Sequence, residues 1–361
     1  MEMPIFVEMV WIDKVICMQH HGRKLHSTCV IAPHKETGMT SEFVNKLRRQ
    51  WDLGKFVCVG LDSDAERLPK LGPPDVEKQA ISLSQVMNFN IGIINATQDL
   101  TCAYKLNSAF YEAMSSLGTR ALLHAVEYLR YNAPLSPVIL DAKRGDIGAT
   151  NEAYAKAVFD VMKAEAITIN PYLGEEANKP FLERTDKGIV VLCRTSNRGA
   201  GEFQDLLTRV TSDELDVLLN GFRDLRHEHL MTWGEWQVTT QDGQPVYFIP
   251  LYQVVAMRVA HHWNKHGNCA LVVGATYPKE LRLVRQLVGD LPILVPGIGK
   301  QGGDLQTVIN NGLDSWQQGL IINSSSGIIY ASNGPDFAEA ARRETLKLHE
   351  QIKACRAQQA S

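Results

Sequence analysis

The chain of 361 residues sets 37 Lys and Arg against 40 Asp and Glu, a formal net charge of −3; without a basic stripe, this excludes the electrostatic footprint of a nucleic-acid-binding surface. Seven scattered cysteines, an odd number, fit reduced thiols better than a disulfide framework, and no apolar run approaches the roughly 18 residues of a membrane span. With Glu2 and Glu8 where a targeting segment would be basic, the expectation is a soluble cytoplasmic protein, long enough to bury a sizeable core.

Residues 1–40 read as an N-terminal extension without an assigned role. Cys17, His20, His21, His26 and Cys29 crowd into it, but their spacing matches no standard zinc pattern, so no metal site is expected. A helix is predicted from Ser41, with Phe43, Val44, Leu47 and Trp51 at helical spacing. From Phe56 onward strand and helix signals alternate. Strands are expected at 56–61, 103–106, 137–140, 166–170, 188–193, 270–273, 293–295 and 320–323, with helices at 108–131, 152–164, 175–184, 251–265, 278–288, 304–311 and 337–355. This alternation predicts an α/β protein, a (β/α)8 TIM barrel forming one domain over 41–361, with the residues after each strand lining one mouth. A long insertion at about 199–250 breaks the rhythm. It is polar, carries Trp233, Trp236 and a turn signal at Asp242-Gly243, and is expected to fold over the mouth at its start and to be decoration over 211–245.

The third strand carries the densest chemistry. Val138-Ile139-Leu140 is apolar and runs directly into Asp141-Ala142-Lys143-Arg144-Gly145-Asp146. Residues two apart on a strand share a face, so Asp141 and Lys143 are expected to point the same way, with Asp146 following in the turn. A solvated salt-bridge cluster is the plain alternative. Such a cluster seldom continues a strand buried on both faces, which favours a functional site. The other strand ends add Asp62, Lys105, Thr195, Ser196, Gln301 and the run Ser324 to Ser326 to the same rim. Gly297-Ile298-Gly299-Lys300-Gln301-Gly302 has the form G-x-G-x-x-G, but no acidic residue follows about twenty positions on, where Ile321 and Ile322 stand. After the seventh strand of a barrel such a loop suits a phosphate instead.

The run Asp141-Ala142-Lys143-Arg144-Gly145-Asp146-Ile147-Gly148-Ala149-Thr150 resembles the signature of the orotidine 5'-phosphate decarboxylase family, in its longer bacterial and protozoan subgroup. Similar blocks follow in order: Val59-Gly60-Leu61-Asp62, Ala103 to Asn107, Arg194 to Asn197, Val272 to Thr276, Pro296 to Gly303 and Ile321 to Ser325. The resemblance implies decarboxylation of orotidine 5'-monophosphate to uridine 5'-monophosphate without metal or organic cofactor. It makes Lys143 the proton donor to pyrimidine C6, between Asp141 and Asp146. It implies a homodimer in which Asp146, Ile147 and Thr150 reach into the partner's site. Asp62 and Lys105 would bind the ribose hydroxyls and Ser196 the pyrimidine edge, Asn107 and Thr195 would also bind substrate, and Gly299, Gln301, Gly302, Ser325 and Ser326 would lie at the phosphate. The family pattern Ser-Arg-Gly at the eighth strand's end is here Ser325-Ser326-Gly327, and Lys300 is the nearest substitute for the missing Arg. Two other readings share parts of this pattern: a metal-dependent sugar-phosphate decarboxylase or aldolase, which a chelator would silence, and a non-catalytic nucleotide-binding relative, suggested by Ser326.

Overall fold

The computed structural model describes residues 10–12, 15–17, 40–69, 82–220, 237–239, 245–298 and 303–360. The chain divides into two compact units, 1–39 and 40–361. In the first, Val10–Ile12 pairs antiparallel with Val15–Cys17; His20, His21, His26 and Cys29 lie outside the described residues.

The second unit is a closed barrel of eight parallel strands: β1 (Val57–Gly60), β2 (Thr101–Asn107), β3 (Val138–Arg144), β4 (Ala166–Ile169), β5 (Gly188–Arg194), β6 (Cys269–Val273), β7 (Ile293–Pro296) and β8 (Leu320–Ser324). Each pairs with its sequence neighbours, and β8 closes onto β1. The eight strands expected from the apolar runs are all present. They are β-branched and apolar because helices cover one face and the barrel core the other; β1, β4 and β6 are buried at every position.

The helices differ from expectation in four places. Leu83–Thr97, which joins β1 to β2, was not anticipated. Its sequence holds Asn88, Asn90, Asn95 and Gly92, all poor helix formers, and tertiary packing overrides them. A Cβ on Gly92 would lie 2.8 Å from the Phe337 ring, so glycine permits the close approach of the terminal helix Phe337–Ala360. The signal that could have revealed this helix is its reciprocal cap, in which Ser82 and Gln85 each bind the other's backbone N–H. The helix expected over 108–131 breaks into Ser108–Glu112 and Ser115–Asn132. Those expected over 152–164 and 251–265 start as α-helix at Gly148–Ala155 and Leu251–Arg258, then widen into π turns at Lys156–Val161 and Val259–Trp263.

Part of the insertion has its own sheet. Strands Leu207–Thr211, Pro245–Pro250 and Gln237–Thr239 pair antiparallel in that spatial order, and Ser212–Leu219 forms a capped helix. Trp233, Trp236 and Asp242-Gly243 lie outside the described residues. At the barrel base, buried Arg285 donates to the carbonyls of Gly289, Leu291, Gly312 and Gly319, tying together the turns that enter β7 and β8. No helix among the described residues is long and apolar enough to cross a membrane.

Candidate active site

The C-terminal ends of β1, β2 and β3 bring Asp62, Lys105 and Asp141 together. Strand register does this directly: Gly60 pairs with Lys105, and Asn107 with Asp141. Lys105 Nζ lies 2.9 Å from Asp141 Oδ2 and 3.6 Å from Asp62 Oδ1. Lys143 Nζ reaches Asp141 Oδ1 at 2.7 Å. The Asp141 side chain is 12% exposed, that of Lys105 5% and that of Lys143 49%, so one ammonium is sealed in and the other stands open at the mouth.

Burial alone would push the Asp141 pKa up. The Lys105 and Lys143 ammoniums outweigh it and hold the carboxyl well below the usual carboxylate range. For Lys105 burial acts downward, but Asp62 and Asp141 hold its ammonium above the ordinary lysine value. Beneath them burial raises the Cys58 thiol to about 12, against the pull of Lys105, so this cysteine is not a nucleophile. The loop carrying Asp62 is pinned from behind. Tyr330 donates to the Asp62 carbonyl at 3.0 Å and accepts from Asp64 N–H at 2.6 Å. Asp62 Oδ1 is nevertheless buried with no hydrogen-bond donor, its 3.6 Å contact with Lys105 being an ion pair alone.

Lys143 sits at φ +48°, a left-handed conformation uncommon for a residue with a side chain. The β3–β4 register shifts there, Leu140 pairing with Ile167 and Arg144 with Ile169, which is a bulge on β3. Thr168, opposite it, donates to Asp141 Oδ1 at 2.8 Å and accepts from Lys143 N–H at 2.9 Å. Sequence reasoning did not single out Thr168. The available signal was a lone hydroxyl in the otherwise apolar strand Ala166–Ile169.

The other predicted residues are less concentrated. Asp146 makes no ion pair with Lys143 of the same chain; its Oδ1 accepts from Ile147 N–H at 2.7 Å, so the ammonium does not lie between Asp141 and Asp146 within one subunit. Ile147 is 63% exposed and Thr150 is exposed. Asn107 caps the short helix after β2 through Ala109 N–H. Thr195 Oγ1 bonds to Asn197 and Gln204, and buried Arg194 anchors that loop through Asp205 at 2.9 Å while stacking 3.7 Å over Tyr277. Ser196 passes so close to Gly274 that a Cβ there would meet its backbone N at 2.9 Å. Ser325 donates to the Gly60 carbonyl at 3.1 Å, and Ser326 opens the turn Ser326–Ile329. Gly299, Lys300, Gln301 and Gly302 lie outside the described residues. Among the described residues no group of three or more His, Cys, Asp or Glu could hold a metal ion. What the arrangement offers is an exposed ammonium fixed by a carboxylate, beside a buried second ammonium shared between Asp62 and Asp141.

Comparison with known proteins gives a consistent result. Residues 55–229 match the family model described as Orotidine 5'-phosphate decarboxylase / HUMPS family. A relative from Cellvibrio japonicus (strain Ueda107), named Orotidine 5'-phosphate decarboxylase, is 42% identical over 316 residues, covering 87% of this chain and 99% of its own length. One of the same name from Janthinobacterium sp. (strain Marseille) is 40% identical over 314 residues, with 86% and 97% covered. Among solved structures, Leishmania donovani OMP decarboxylase aligns with a TM-score of 0.65 at 31% identity, covering 87% of this chain and 98% of its own.

The charge network predicts an acid limb in stability. A carboxyl whose folded-state pKa lies below the unfolded value of about 3.9 contributes stability that is fully present above that value and is lost as the pH falls through the folded-state pKa. The unfolding free energy should therefore drop below about pH 4 more steeply in the native chain than in Asp141→Asn. Urea titrations across that range measure both curves, and parallel curves would show that Asp141 is not the responsible group.

Proposed function

The chain belongs to the orotidine 5'-phosphate decarboxylase / HUMPS family, and from that premise we propose that it decarboxylates orotidine 5'-monophosphate to uridine 5'-monophosphate, the last step of de novo UMP synthesis. The observation that carries this reading is the rim cluster, in which Asp141 binds both Lys105 and Lys143 at 2.9 and 2.7 Å.

The C6–carboxylate bond breaks, CO2 departs, and its electron pair stays on C6. The Lys143 ammonium, held against Asp141, stabilises that carbanion and gives it a proton. The resulting neutral amine, on a half-exposed side chain, regains a proton from water. No metal or organic cofactor takes part. The Asp62 carboxylate suits a ribose hydroxyl as donor, with its ion pair to Lys105 fixing its orientation. Asn107, which pairs with Asp141 across β2 and β3, would also meet the substrate, Thr195 and Ser196 would face the pyrimidine, and Gly299, Gln301, Gly302, Ser325 and Ser326 the phosphate. Five free cysteines among the described residues fit a reducing cytoplasm.

The active species is a homodimer with shared sites. Within its own chain Asp146 leaves Lys143 unattended and Ile147 is exposed, so a second copy bringing Asp146, Ile147 and Thr150 to this mouth would flank the ammonium on its open side. A second reading, an impaired nucleotide binder, is favoured by Ser326 alone.

Lys143→Ala should lower kcat by at least about a hundredfold while product binding and fold persist, because the proton transfer belongs to the transition state. The fall in pyrimidine absorbance measures this with and without chelator; retained turnover would remove Lys143 as the acid. Mixing Lys143→Ala with Asp146→Asn subunits should restore activity, since each hybrid carries one intact site. No recovery would mean unshared sites. An arginine fork contributes about 1.5 to 3 kcal/mol per charge-assisted bond, so Ser326→Arg should raise kcat/KM at least about tenfold. If Lys300 already serves the phosphate, Ser326→Arg changes little, and Lys300→Ala instead weakens turnover of the nucleotide far more than that of the nucleoside.

A further inference from the structure

We infer that Thr168 is a positioning residue for the proton donor, its hydroxyl fixing both the backbone and the charge partner of Lys143. The inference rests on the reading of Lys143 as the acid. It begins from the bulge. Between the pairs Leu140 with Ile167 and Arg144 with Ile169, β3 has three residues, Asp141, Ala142 and Lys143, where β4 has only Thr168. The extra length is taken up at Lys143, whose φ of +48° turns the backbone N–H out of the regular ladder. That N–H needs another acceptor, and Thr168 Oγ1 supplies it at 2.9 Å.

The same oxygen donates its own proton to Asp141 Oδ1 at 2.8 Å, the atom that receives Lys143 Nζ at 2.7 Å. A hydroxyl can accept and donate at once, which neither a methyl nor an acceptor-only group can do. Thr168 thus closes a ring through the Lys143 backbone, its ammonium and the Asp141 carboxylate. The side chain of Lys143 is half exposed, with many rotamers open to it in water. Two ends of one hydrogen-bonded ring restrict it to the orientation that faces the mouth. Thr168 itself is 1% exposed, so it is placed to act through Lys143 and Asp141 and not on substrate.

The test compares Thr168→Val, Thr168→Ala and Thr168→Ser, with Lys143→Ala in parallel. Val keeps the branched shape and loses the hydroxyl, Ala covers the case in which Val does not fold, and Ser keeps the hydroxyl. Val and Ala should lower kcat by about tenfold or more with KM within about threefold of the native value, while Ser stays within about threefold in both. Native kcat in Val or Ala, a Ser variant as slow as they are, or a loss confined to KM would each overturn the inference. Inactive Lys143→Ala beside fully active Thr168→Val would remove only the role of Thr168. Active Lys143→Ala would remove the acid assignment on which that role depends.

Discussion

A carboxylate that is 12% exposed at the end of an apolar strand survives as an anion only if cations stand beside it. The buried Lys105 ammonium supplies most of the attraction, and the half-exposed Lys143 ammonium, screened by solvent, adds less; together they exceed the desolvation that would otherwise protonate Asp141. Deleting Lys105 from its buried pair with Asp141 would leave that carboxylate poorly compensated, at about 3–5 kcal/mol. The positions of β1, β2 and β3 are therefore interdependent. Lys105 comes from β2 and Lys143 from β3, and Asp62 follows β1. A slip of one residue in any register would reverse the facing of these side chains. Gly60 serves the same constraint from the other side: a Cβ there would meet Ser325 Cβ at 2.7 Å, so its absence lets the end of β8 approach the cluster.

The two ends of the barrel treat buried polar groups differently. At the base, the guanidinium of Arg285 donates to four backbone carbonyls and burial pushes its pKa down to about 10; its donors are spent on structure. At the rim, Asp62 Oδ1 has no donor, Lys143 is strained and half exposed, and the acceptor that relieves its backbone also serves its counter-ion. Incomplete satisfaction and stored backbone strain at one mouth are what a site leaves for a ligand to complete.

Much of this was legible from residue order, for identifiable reasons. Strands buried on both faces are written as β-branched runs, so all eight could be read directly. Alternation placed Asp141 and Lys143 on one side, though the structure achieves it through a bulge that no periodicity describes. Leu83–Thr97 was hidden because its three asparagines and Gly92 oppose helix locally, and the compensation, the Phe337 ring, lies far along the chain. Asp146 stands three residues after Lys143, yet within one chain the two do not meet. A turn has no fixed facing, and its carboxylate instead bonds to the next backbone N–H. Thr168 went unread because one threonine in a strand is ordinary until its opposite strand is known to bulge.

The charge count at the rim bears on how an anionic nucleotide is held. Asp62 and Asp141 balance Lys105 and Lys143, so these four groups carry no net charge, and a partner's Asp146 would make the site negative. A substrate bearing both a carboxylate and a phosphate gains nothing from that sum. On the proposed reading its attraction comes from placement: the open Lys143 ammonium at one end, and at the other Lys300 and the backbone N–H groups after β7 and β8. Dipoles act over a shorter range than a full charge and are screened less by salt once desolvated. If the run Gly297 to Gly303 holds the phosphate as proposed, its four glycines suit a close approach of backbone N–H groups to the anion.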